Sequence, residues 1–134
     1  MDILSFDDLL QAARAQPEPQ RLLFVFAGVE LPEDSTPVQR ERFKAGQGGA
    51  LVPLMCVDKR PEELTSFAAL VQESGQFGHR WGLVFAAALA GSVSRAPTSA
   101  DAEEPLQRMV ESIKQGRIGG FIPFDPQGQP VQIG

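Results

Sequence analysis

The chain has no tyrosine, one cysteine, one histidine and one tryptophan among its 134 residues. Its single cysteine, Cys56, cannot close an internal disulfide, which fits a reducing compartment. With His79 as the only other soft ligand, Cys56 cannot complete the four-ligand set usual for structural zinc. No run approaches the roughly 18–20 apolar residues that cross a bilayer. The longest apolar runs, residues 22–29 and 83–90, have the length of strands. The start, Met1-Asp2-Ile3-Leu4-Ser5-Phe6-Asp7-Asp8, is acidic where a secretory signal is basic. A cytoplasmic location with no membrane segment is therefore the expectation.

A basic stripe is missing as well. Residues 1–46 carry five bases and eight acids and residues 47–134 seven and nine, so neither half offers a face that neutralises phosphates. Nucleic acid is not expected as a partner.

What is present suits one globular domain over 1–134. Single domains run roughly 100–150 residues and bury about two-thirds of their unfolded surface. Phe6, Leu9, Leu10 and Ala13 fall at helical spacing behind a Ser5 cap, and Pro17 and Pro19 end that pattern. Residues 21–29 are apolar almost throughout, which predicts a central strand covered on both faces. Thr36-Pro37-Val38-Gln39 combines a cap, a first-turn proline and a glutamine at N3, predicting a short helix to about Lys44 with Gly46 as its stop. Residues 50–58 follow as a strand in which Pro53 argues for an edge or a bulge.

Pro61 is expected to open a third helix with Leu64, Phe67, Ala68 and Val71 inward and Gly75 as its stop, before a strand over 82–90. The last helix is expected to start near Asp101 with Glu104 at the capping position. Pro105 should limit its upstream extent, and Leu106, Met109, Val110 and Ile113 should face inward. Residues 118–125 and 130–133 flank Pro126-Gln127-Gly128-Gln129 as a C-terminal β-hairpin. The resulting fold class is α/β, a single-domain mixed sheet of about five strands in the order αβαβαβαββ. Helices cover the sheet, and parallel neighbours are joined by crossovers.

Leu22-Leu23-Phe24-Val25-Phe26-Ala27, the run from Ala50 to Lys59, the run from Pro105 to Lys114 and Gly116-Arg117-Ile118-Gly119-Gly120-Phe121 resemble a family of small proteobacterial proteins. The resemblance extends over nearly the whole chain. Members are sometimes labelled ribonucleotide reductase alpha subunit, and the resemblance implies no mechanism and no site residues. Such reductases are several times longer, with a thiyl-radical cysteine, a reducing cysteine pair and usually tyrosines for radical transfer. With one cysteine and no tyrosine, this chain cannot supply the two thiols of a dithiol reduction. The label fails as a catalytic description.

Candidate sites are few. Cys56 with His79 would form an activated thiol, but Cys56 lies mid-strand with no positive neighbour, where a buried packing cysteine is the simpler expectation. The glycines of residues 45–50 lie between a helix and the next strand, the wrong order for a phosphate cradle. Ser92, Ser94, Thr98 and Ser99 gather hydroxyls around Arg95 just ahead of a helix. On a parallel sheet they would share the strand ends with Glu30, Asp58, Lys59 and Arg60 and could hold an anionic small molecule. Asp101, Glu103 and Glu104 would repel one, and a polar loop with ordinary caps is the plainer account. Phe77, His79, Arg80 and Trp81 form a turn that would make a contact patch if exposed, or close the core if not. Carboxylate pairs such as Glu103-Glu104 are adjacent in sequence and do not converge on a helix.

The functional expectation is a small binding or accessory interaction module without catalysis, with a protein partner and no cofactor or metal. The alternative is an anionic-ligand binding protein or enzyme built on the 92–99 loop.

Overall fold

In a computed structural model of the chain, the described residues are 5–30, 35–44, 50–64, 66–75, 81–92 and 94–131. They form α1 (Phe6–Arg14), β1 (Gln20–Glu30), α2 (Pro37–Lys44), β2 (Ala50–Lys59), a 3-10 turn (Pro61–Glu63), α3 (Phe67–Gly75), β3 (Leu83–Ala90), α4 (Ser99–Lys114) and β4 (Ile122–Phe124). Gly46, Phe77, His79, Arg80 and the far arm of the expected hairpin beyond Val131 lie outside the described residues.

One sheet of four strands, in the order β2-β1-β3-β4, carries the fold, and every pairing in it is antiparallel. This corrects the expectation of a mixed sheet with parallel neighbours, and the described residues give four strands where about five were expected. β1 is buried from Arg21 to Ala27, as its apolar run implies. That burial comes from helices on both faces and requires no parallel neighbour. The connection from β1 to β2 leaves and returns at one end, pairing Glu30 with Ala50 and Leu22 with Lys59. β2 and β3 therefore run the same way but are separated by β1, and the 3-10 turn and α3 carry the chain from one to the other. Of the expected fifth strand, the described residues show one bridge, between Phe124 and Pro130.

Alternation along β1 builds two cores. Leu22, Phe24 and Phe26 pack with Phe6, Leu9 and Leu10 of α1, Leu64, Leu70 of α3, and Phe124. Leu23, Val25 and Ala27 pack on the opposite face with Ala102, Leu106, Met109 and Ile113 of α4. Each fully buried side chain of this size contributes about 1.5–3 kcal/mol. Phe6 is the hub of the first core, with ring centroids 5.7 Å from Phe24, 4.8 Å from Phe67 and 5.4 Å from Phe124.

The helix caps explain several boundaries. Ser5 Oγ accepts from the Asp8 N–H, and Thr36 and Gln39 exchange reciprocal bonds that start α2. α2 buries nothing from Pro37 to Arg42, and Val38 stands 63% exposed. Pro61 opens the 3-10 turn and not α3. α3 starts later and turns Leu70 and Ser74 inward, leaving Ala68 exposed. α4 starts three residues earlier than a first turn at Ala102 would allow. Thr98 is its cap and Asp101, expected at the start, sits at N3 in a reciprocal box. Pro105 is consequently inside the helix and does not limit it. Gly116 ends α4, with the N–H of Arg117 on the Ser112 carbonyl and that of Gly116 on Ile113. No helix among the described residues is long and apolar enough to cross a membrane.

Pro53 sits on an edge strand and also at a bulge: the β1–β2 register shifts between Phe26 and Ala27, which face Met55 and Pro53. An edge or a bulge tolerates the donor that proline lacks.

Candidate functional site

The polar cluster and the most polar openings among the described residues lie on the α4 side of the sheet. The cluster begins with Arg21, the second residue of β1, whose side chain follows Leu23 and Val25 onto the α4 face. It is 9% exposed. Its Nε donates to Asp58 Oδ2 at 2.5 Å, Nη1 to the Pro97 carbonyl at 3.3 Å and Nη2 to Ser99 Oγ at 2.6 Å. Ser99 Oγ in turn donates to Asp58 Oδ2 at 2.7 Å. Burial alone would raise the Asp58 carboxyl. The hydrogen bonds from Ser99 and Arg21 and the guanidinium charge outweigh it and hold Asp58 below the usual carboxylate range.

Asp58 reaches this point because β2 ends beside the start of β1, where Leu23 faces it across the ladder. β3 ends there too, opposite Gln20, and delivers the 91–98 segment. The expected convergence of strand ends is thus met for Asp58 and fails for Glu30, which lies at the other end of the antiparallel pair.

The 92–99 loop divides into parts with different employment. Ser92 and Arg95 close a tight turn through their own backbones, 2.9 Å and 3.2 Å apart. Gly91 permits it, because a Cβ there would collide with the Arg95 carbonyl. Ser92 and Ser94 hydroxyls lie 3.4 Å apart at the surface. Thr98 is spent on the helix cap and Ser99 on Asp58 and Arg21. Arg95, its side chain 72% exposed, pairs with Asp101 at 3.5 Å. Hydrogen bonds from Thr98, backbone and hydroxyl, with the Arg95 charge, keep Asp101 below its ordinary value. A shallow cavity of 430 Å³ does open here, lined by Leu89, Gly91, Ser92, Arg95, Pro97 and Asp101. Its one cation already faces a carboxylate.

Another opening is a groove of 590 Å³ between the outer edge of β2 and α4, lined by Cys56, Glu103, Leu106, Gln107, Val110 and Glu111. Cys56 is exposed, against the expectation of a buried packing cysteine. The mid-strand position was the reason for that expectation, and the edge location of β2 removes it. Partial burial of the thiol and the nearby Asp58 charge push Cys56 above the ordinary thiol range, the opposite of an activated nucleophile. His79, its suggested partner, lies outside the described residues.

Of the suggested 77–81 patch, Trp81 is described. Its indole N–H donates to Ser74 Oγ at 2.9 Å, and its ring meets Phe26 edge-on at 4.9 Å. The tryptophan closes one end of the first core. Phe77, His79 and Arg80 cannot be placed beside it, being outside the described residues. No group of three potential metal ligands occurs among the described residues. The β2–α4 groove joins elements far apart in the chain, Cys56 of β2 and residues 103–111 of α4. Its one sequence signal is Pro53, which marks β2 as an edge.

Comparison with protein-family models, with curated proteins and with solved structures finds no match.

Proposed function

We propose that the chain is a non-catalytic binding module that engages a protein partner along the open edge of its sheet. One observation carries this reading. Among the described residues β2 pairs only with β1, which leaves the other side of the strand ALVPLMCVDK without a ladder. An apolar edge is a template for another extended segment; Pro53 and its bulge blunt the first half of this one and leave the stretch from Met55 open. The reactive side chains nearby support the same reading by their employment. Ser99, Thr98, Asp58 and Arg21 are bonded to one another or to the α4 cap, and the Cys56 thiol is held protonated. The small proteobacterial proteins that the sequence resembles add no residue role to it.

The test places a diazirine analogue of leucine at Leu54 and irradiates the protein in an extract of its own cells. One adduct that unlabelled protein competes away, and that forms again with the purified partner, is the expected result. Uncompeted or absent adducts overturn the proposal.

A second reading, an anionic ligand beside Arg95, rests on the 430 Å³ cavity. Amide spectra recorded during an inorganic phosphate titration decide it. Saturable shifts confined to Gly91, Ser92 and Arg95 would support it, and an unchanged spectrum would remove it.

A further inference from the structure

The groove beside β2 has a shape and a charge pattern that specify more than an open edge. Pro53 and the bulge at Leu54 interrupt the first half of β2, so an added strand finds its uninterrupted run from Met55 to Lys59. Cys56 lies within that run. It faces the α4 side, opposite Val25 of the second core. Above it, Leu106 and Val110 supply apolar walls, while Glu103 and Glu111 stand exposed at the two ends of the groove.

The spacing of the two carboxylates fits an extended chain. Eight residues of helix separate Glu103 from Glu111, a rise of about 12 Å. Two side chains on one face of a strand, four residues apart, are separated by about 13 Å. The residue midway between them on that face lies over the apolar walls.

We infer that β2 and α4 together receive an extended segment of a partner protein. On the face it turns toward α4, this segment carries a basic, an apolar and a basic residue at successive alternate positions. The backbone adds to the edge of β2 along Met55–Lys59. The apolar side chain enters the groove over Cys56, Leu106 and Val110. The two cations reach Glu103 and Glu111. Glu111 is held at 3.5 Å by Lys114 in a pair that is exposed on both sides, and such pairs exchange readily. A second copy of this chain is the wrong occupant. Two-fold pairing of β2 edges sets the α4 helices side by side on one face and brings their acidic rims together, in a protein of net charge −5.

This inference rests on the binding-module reading, and the test separates the two. The probe is a fluorescent peptide in which threonines alternate with lysine, leucine and lysine. Its control carries glutamates in place of the lysines. Saturable anisotropy with the lysine peptide is expected, weakened more than about tenfold for the control. The exposed double variant E103K/E111K should reverse that preference, and amide shifts should run along Met55–Lys59. Absence of saturable binding, or binding indifferent to both charge exchanges, overturns the inference. A partner adduct at Leu54 that persists in E103K/E111K also overturns it, while leaving the broader reading intact.

Discussion

Ser99 accepts a hydrogen bond from Arg21 Nη2 at 2.6 Å while its own hydroxyl proton goes to Asp58 at 2.7 Å. One side chain in the first turn of α4 thereby joins the opening of β1 to the close of β2. Arg21 adds a bond to the Pro97 carbonyl just ahead of the cap. The cluster ties the first turn of α4 to the sheet at the point where the Thr98 cap starts the helix. The groove lined by Cys56, Leu106 and Val110 opens further along the same helix.

Replacing Asp58 with asparagine leaves the largely buried Arg21 charge without its counter-ion. A hydrogen bond to a charged group contributes about 1.5–3 kcal/mol, and D58N should lose stability of that order at neutral pH. The sign of the pH dependence follows from the depressed Asp58 value. A carboxyl with a lower pKa folded than unfolded adds stability above the unfolded value, near pH 4, and loses it as pH falls through the folded value. Urea unfolding across pH 2–7 should show the gap between wild type and D58N constant above about pH 5 and narrowing below about pH 4. A gap of the same size at all pH values would mean that the Asp58 charge plays no part.

The same substitution should be felt at Cys56. Burial is the larger reason its thiol is raised, and the Asp58 charge is the second. Wild-type Cys56, although exposed, should therefore react with a disulfide reagent at pH 7.5 more slowly than a free thiol, because only the thiolate attacks. D58N removes the charge and keeps the burial, so it should speed the reaction without reaching the free-thiol rate. Stopped-flow traces of wild type and D58N under native conditions decide this. Equal rates would remove the electrostatic link.

Local chemistry was the legible part of the sequence. The Ser5 cap, the Thr36–Gln39 box, the Gly116 stop and the stripe Leu106, Met109 and Ile113 follow from contacts within a few residues. Both-face burial of residues 22–27 was equally plain. Strand direction was not, because a strand between two helical layers is apolar on both faces whether its neighbours are parallel or antiparallel. Pro105 misled in another way. Propensity forbids proline mid-helix, yet the Thr98–Asp101 box and the burial of Ala102 start α4 ahead of it. Of the candidate site, the hydroxyls of 92–99 were visible as a cluster. Their division between the Arg95 turn, the cap and the Asp58 clasp depends on long-range partners such as Arg21, which no local pattern announces. Cys56 is exposed because β2 is an edge, which Pro53 announces only as one of two alternatives, the other being the bulge that the strand also has.

Gly128 locks the C-terminal turn against the opposite face of the sheet. Its φ is +81°, in the left-handed region, and its carbonyl accepts the Phe6 N–H at 3.1 Å, one of the donors that the start of α1 leaves without a helical partner. A Cβ at this position would stand 3.0 Å from Phe67 Cδ2. The Phe67 ring has little room to retreat, with Phe6 at 4.8 Å and Trp81 at 6.4 Å between ring centroids. G128A therefore meets two penalties, left-handed backbone for an alanine and overpacking of an aromatic cluster, together about 2–4 kcal/mol. Gly120 is the matched control, since an added Cβ there meets nothing within 4 Å and its φ is not in the left-handed region. G120A should change stability by less than about 0.5 kcal/mol. Urea midpoints for the two variants give the comparison. If they coincide, the turn does not press on Phe67, and the first core ends at β4 without it.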